Sequence, residues 1–220
     1  MSDFINQLKL DFQFLVLDLE ELFFAWVCDL LLLVPAYILI YFFPGYSTDI
    51  VALTVCLVIL LNGVFLLPRT IFRDWHNNWV FQASAAGMAP QHYFLAKIIT
   101  GFCSLFSSTY IFFLFLHILF YREAWWLTGG TLVLFLMVPA FTLVLILSSF
   151  ISAGESRILP LVLAAPPLLP AMVGGYILFH NLGEQVALNR AWVYWLGSYN
   201  LIFLVAGWFL SEYFWEEFYR

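Results

Sequence analysis

The chain alternates long apolar runs with short polar breaks. Six runs are long enough to cross a bilayer, which takes about 20 apolar residues, or about 30 Å at 1.5 Å per residue. They cover roughly Leu22–Phe43, Ile50–Leu67, Ile98–Phe120, Leu127–Phe150, Ile158–Phe179 and Ala191–Phe214. Pro44-Gly45 ends the first run and Pro68-Arg69 the second. Tyr121 to Glu123, Ser152 to Arg157 and His180 to Glu184 separate the others. The runs are continuously apolar, without the period-2 alternation of barrel strands, so the pattern predicts helices.

Two segments fall outside the spans. Across residues 1–20, Phe4, Leu8, Phe12, Leu15 and Leu19 share one helical stripe, while Asp11, Asp18 and Glu20 lie largely elsewhere. This predicts an amphipathic helix on the membrane surface. Its polar face is acidic, where surface helices usually carry Lys and Arg, so a protein partner is an alternative contact. The second segment, Arg69 to Lys97, holds the longest polar interruption. Within it, residues 72–86 begin polar and aromatic (Arg73, Asp74, Trp75, His76, Trp79, Phe81) and turn small and apolar before Gly87 and Pro90. A short helix in the membrane plane is expected there. Trp75, Trp79 and Phe81 are many large aromatics for idle solvent exposure and suggest a docking surface.

Composition makes the membrane assignment firm. Hydrophobic residues are 64% of the 220, aromatics 20% and charged residues 10%. Soluble domains average about 45–50% apolar and about 25% charged. The net charge of −6 comes with no basic tract, so no nucleic-acid partner is expected. The first apolar run follows an acidic segment and is too long for a signal-peptide core, so it is expected to remain as an anchor. The chain reads as one domain.

Eight Lys and Arg residues set the expected orientation. With six spans both termini share a side, and that side collects Lys9, Arg69, Arg73, Lys97, Arg157 and Arg220. Arg122 and Arg190 fall opposite. The termini and the 69–97 segment are therefore expected in the cytoplasm. Trp125, Trp126, Trp192 and Trp195 lie near predicted outer ends, as interfacial aromatics would.

Candidate chemistry is sparse. There is no GxxxxGK[ST], so ATP is not bound by that device, and any driven transport needs another subunit. HExxH and GxSxG are also absent, and no enzyme is expected. Cys28, Cys56 and Cys103 sit in or beside apolar runs without a CxxC pair and read as small buried residues. His117 and His180, both near the outer face, are weak candidates for haem or metal ligation; no metal site is expected otherwise. Asp29 lies about two turns into the first span, where a carboxylate costs roughly 2.5–3.5 kcal/mol on insertion scales and usually has a partner or a function. Asn62 on the second span is a candidate interhelical hydrogen-bonding residue. Pro166, Pro167 and Pro170 are expected to break the middle of the fifth span, as a moving hinge at Pro166 and Pro170 or as a static kink. Gly174-Gly175 beyond them adds flexibility or close packing.

The interfacial helix, six spans and coupling segment between spans two and three resemble the membrane subunits of type-2 ABC exporters. Their motif runs acidic/Arg–Gly–Thr/Ser–Leu–Glu, then a proline, then Ala/Gly-Lys opening span three. Phe72-Arg73-Asp74 and Pro90 with Leu95-Ala96-Lys97 match it in spacing. Within that group the chain is most similar to the haem exporter protein B family of cytochrome c maturation. The shared features are the length, the Phe-Arg-Asp to Leu-Ala-Lys frame, and the Leu-rich fifth span ending in Pro166 to Pro170. The centre differs: His76-Asn77-Asn78-Trp79-Val80 stands where the family has Asp-Gly-Ser/Thr-Leu-Glu.

The resemblance implies a permease subunit in the bacterial inner membrane, or the mitochondrial one. It would couple a cytoplasmic ATPase to haem delivery, beside other membrane subunits of a haem-handling complex. ATP would sit on the partner, and no cofactor on this chain. Arg73, Asp74, Trp75, Trp79 and Phe81 would dock the ATPase. The alternatives are a type-2 permease for a lipid, drug or polysaccharide, and a membrane assembly scaffold.

Overall fold

The structure is a computed structural model. It describes the chain except residues 1, 18, 78, 81–84, 86, 121–123, 153–158 and 218–220, and side chains except those and 2–4, 14–17, 19–22, 44, 124–125, 161 and 214–217. Its regular elements are helical: α1 Ser2–Leu17, α2 Leu19–Phe42, a 3-10 turn Pro44–Tyr46, α3 Ser47–His76, α4 Pro90–Phe120, α5 Ala124–Ile151, α6 Leu159–Gly183 and α7 Arg190–Glu217. Helices α2 to α7 are the six candidate membrane spans. Hydrocarbon offers no water to an open backbone, so each crossing must close its own hydrogen bonds, which a helix does within one segment.

Helix α5 is the axis of the bundle. It packs against α3, α4, α6 and α7, and every residue from Ala140 to Phe150 is buried. Helices α2 and α7 lie outermost, with Leu31, Ile38, Leu201 and Phe209 exposed, as a lipid-facing surface requires. Close approach depends on glycine where a Cβ would not fit. At Gly175 an added Cβ would come 2.0 Å from Met137 Sδ, and at Gly207 2.1 Å from the Phe94 ring. Gly175 thus serves close packing of α6 on α5; Gly174 meets only ordinary contacts at 3.4 Å.

Helix α1 and the last turns of α7 lie at one end of the bundle. Gln91 at the start of α4 donates to Glu212 near the end of α7, and Lys97, nearly two turns later, reaches Asp11 of α1. We call this the α1 end. At the far end Thr48 Oγ1 donates to Glu184 at 2.9 Å, which ties the start of α3 to the loop after α6.

Two expected breaks do not occur. Pro68 does not end the second span: α3 runs through it for 30 residues to His76. A proline costs about 3 kcal/mol or more in a helix interior. Here Leu66, Leu67, Pro68, Ile71 and Phe72 are all buried beyond or around it, and that burial carries the helix on. Residues 72–76 are therefore the tail of α3 rather than the start of a separate coupling helix, and the chain turns at Asn77. Helical backbone resumes at Trp79-Val80. Likewise α6 is continuous from Leu159 to Gly183 through Pro166, Pro167 and Pro170. Pro166 and Pro170 are exposed on its surface, and the Pro167 carbonyl accepts from the Tyr199 hydroxyl of α7. Gly87, with φ 79°, makes the left-handed turn before Pro90.

Candidate functional site

At the α1 end, three elements meet on one buried lysine. Lys97 lies two turns into α4, with its side chain 1% exposed. Its Nζ is 2.7 Å from Asp11 Oδ1 of α1 and 2.6 Å from Asp74 Oδ2 of α3. Tyr93, one turn earlier on α4, donates to Asp74 Oδ2 at 2.9 Å. Arg73 Nε stands 3.8 Å from Asp74 Oδ1. Two carboxylates thus face two cations, and the cluster is neutral as a set. Gln7 donates to Asp11 Oδ1 at 3.1 Å and accepts from Trp79 Nε1 at 3.0 Å. The turn after α3 is thereby tied to α1, and α1 to α4.

Burial is the dominant influence on Asp11 and raises its pKa above the ordinary carboxylate value of 3.8; Lys97 opposes this, and Asp74 reinforces it. Asp11 Oδ2 is buried without a hydrogen-bond partner among the described residues. Beneath the cluster, Ile71, Val80, Tyr93, Phe94, Leu147 and Phe150 form a small apolar core, with Trp75 and Trp79 packed on it. Tyr93 meets Phe150 edge-on at 5.8 Å.

This placement revises the docking set. Asp74 is 4% exposed and turned inward, so it balances Lys97 and is closed to a docked protein. Trp75 and Trp79 pack on the apolar core and stay partly exposed. Arg73 remains partly exposed. Phe81 lies outside the described residues. Among the described residues of the turn, His76 and Asn77 are exposed, with His76 Nδ1 2.9 Å from the Phe72 carbonyl. Asp11, from the acidic polar face of α1, turns onto Lys97 within the same chain.

The intramembrane pair sits together. Asn62 Nδ2 is 2.9 Å from Asp29 Oδ2 and 3.1 Å from Ser108 Oγ, and Ser108 Oγ is 3.4 Å from the same carboxylate oxygen. Asp29 is 3% exposed, so it faces the bundle and not lipid. Three spans, α2, α3 and α4, share this contact. Ser108 was missed because a serine in an apolar helix more often bonds its own backbone, as Ser148 and Ser149 do.

His117 and His180, at the far end, each have their own contacts. His117 stacks on Trp126 at 5.9 Å, and its Nδ1 is buried without a partner among the described residues. His180 Nδ1 is 2.8 Å from Asp49 Oδ1, which also accepts from Tyr176 at 2.5 Å. Among the described residues no three His, Cys, Asp or Glu side chains converge on a metal position. Trp126 is 1% exposed, an interior ring stacked on Phe113 at 4.6 Å and not an interfacial one. Cys56 is buried, Cys28 and Cys103 are partly buried, and all three are free thiols.

Comparison with known proteins finds no matching family model, no matching curated protein and no matching solved structure.

Proposed function

We propose that this multi-pass membrane protein is the permease subunit of a type-2 ABC transporter, docked at its α1 end to a separate cytoplasmic ATPase. The reading takes the α1 end as cytoplasmic, with both termini there, on the distribution of Lys and Arg. The observation that carries it is the Lys97 joint. A push on the turn at Asn77 would reach α3 directly, α4 through Asp74 and Lys97, and α1 through Trp79 and Gln7. A segment meant only as a loop needs no such linkage. Transmission by rigid contacts between discrete elements is how a cytoplasmic motor can move spans.

In its finer form the reading follows the sequence resemblance: the ATPase cycle serves haem delivery for cytochrome c assembly, in the bacterial inner membrane. Haem is then cargo of the whole complex. Purification of the tagged protein in mild detergent tests both levels. An ATP-hydrolysing subunit in the complex is expected, with a haem band in the visible spectrum for the finer form. A complex with an ATPase and no haem points to another substrate. A complex without any ATPase contradicts the permease reading and favours an assembly scaffold.

A further inference from the structure

A groove of about 730 Å³ runs along α3 at the α1 end, within the range of about 300–1,000 Å³ typical of ligand pockets. Its lining repeats each helical turn and changes character along the helix. Phe65, Pro68 and Phe72 line one part, and Arg69, Arg73 and His76 join them towards the end of α3. Helix α3 has 30 residues and is thus about 45 Å long, against a hydrocarbon thickness of about 30 Å. Its last turns therefore stand at headgroup level, with the apolar part of the groove in the acyl layer. Phe65 and Arg69 are exposed along it.

From this gradient we infer that the groove binds an anionic phospholipid, its phosphate at Arg69, Arg73 and His76 and an acyl chain along Phe65, Pro68 and Phe72. Phe65 and Pro68 precede Arg69, Arg73 and His76 along α3, the order of acyl chain and phosphate in such a lipid, and Phe72 lies among the basic residues. A guanidinium carries five N–H donors, so the contact of Arg73 with Asp74 and a phosphate contact are compatible. The inference does not depend on the permease reading.

Native mass spectrometry of the full chain, with equal phosphatidylglycerol and phosphatidylcholine added, tests it. Phosphatidylglycerol should be retained in about tenfold preference, the order that one or two arginines near a membrane surface supply. Arg69→Gln should remove most of that preference and Arg69→Lys keep most of it. Arg190→Gln, at the opposite end of the bundle, should leave it unchanged. Equal retention of the two lipids by the unaltered chain would overturn the inference. So would an Arg69→Gln protein that stays as selective as the parent.

Discussion

Two buried carboxylate sites in this molecule are built on opposite plans. At Asp29, deep in the bundle, the carboxylate is met by neutral donors, Asn62 and Ser108. At the α1 end, Asp11 and Asp74 are met by Lys97 and Arg73. The difference follows from position. Within hydrocarbon a second ion would add its own insertion cost, whereas amide and hydroxyl groups satisfy a carboxylate cheaply. Near the headgroups, countercharges are affordable and bind more strongly. The first arrangement suits a static clasp among α2, α3 and α4. The second couples three elements through one side chain, so a change at any of them is felt by the others.

The comparison breaks most clearly at Lys97. Lys97→Met leaves two buried carboxylates with far less compensation, and loss of one partner from a buried ion pair costs roughly 3–5 kcal/mol. The thermal unfolding midpoint in detergent should fall steeply. Adding Asp11→Asn and Asp74→Asn to that variant should recover most of the loss. At the other site Asp29→Leu removes one of the two acceptors of the Asn62 amide, leaving Ser108, at about 1–3 kcal/mol. Asp29→Asn keeps a bonding partner and should stay closer to the parent. If the two Asp29 variants melt alike, the hydrogen-bonded clasp is wrong.

The pH response tests the α1-end site on its own. Asp11 has a folded-state pKa raised above 3.8, with burial as the largest cause. In the window above 3.8 the folded chain then binds more protons at this position than the unfolded chain does. Stability contributed here is greatest in acid and declines as pH rises through the folded pKa. A melting series across mild acid should show that decline, and Asp11→Asn should flatten it. A smaller effect is expected from Trp79→Phe, which loses one hydrogen bond to Gln7, about 0.5–1.5 kcal/mol. It should raise protease sensitivity of α1 while the spans stay intact.

The spans were legible because the bilayer fixes their length and composition. All six runs became helices, and Pro44-Gly45 became the expected turn. Their packing was not legible. Lipid-facing and core-facing positions are equally apolar, so nothing in the pattern marked α5 as the central helix. The misreading of Pro68 as the end of the second span has the same origin: a local backbone rule was overridden by contacts that periodicity does not show. Asp29 and Asn62 were visible because polar groups stand out in an oily segment. Lys97 was visible only as the residue opening a span. Its partner was indicated by an acidic helix in a chain poor in cations, a charge complementarity across 86 residues that single-segment reading does not test. Trp126 was read as interfacial because its burial against Phe113 and His117 leaves no mark in its own segment.

The central claim is that the α1 end, at the turn after α3, receives an ATPase. Asn77 and Val186 are exposed at opposite ends of the bundle, so a charge at either should spare the fold. The measurement is the amount of ATPase copurifying with Asn77→Glu and with Val186→Glu, relative to the unaltered protein. The account predicts that Asn77→Glu loses most of the ATPase and Val186→Glu retains it. Undiminished ATPase with Asn77→Glu, or loss confined to Val186→Glu, would contradict it.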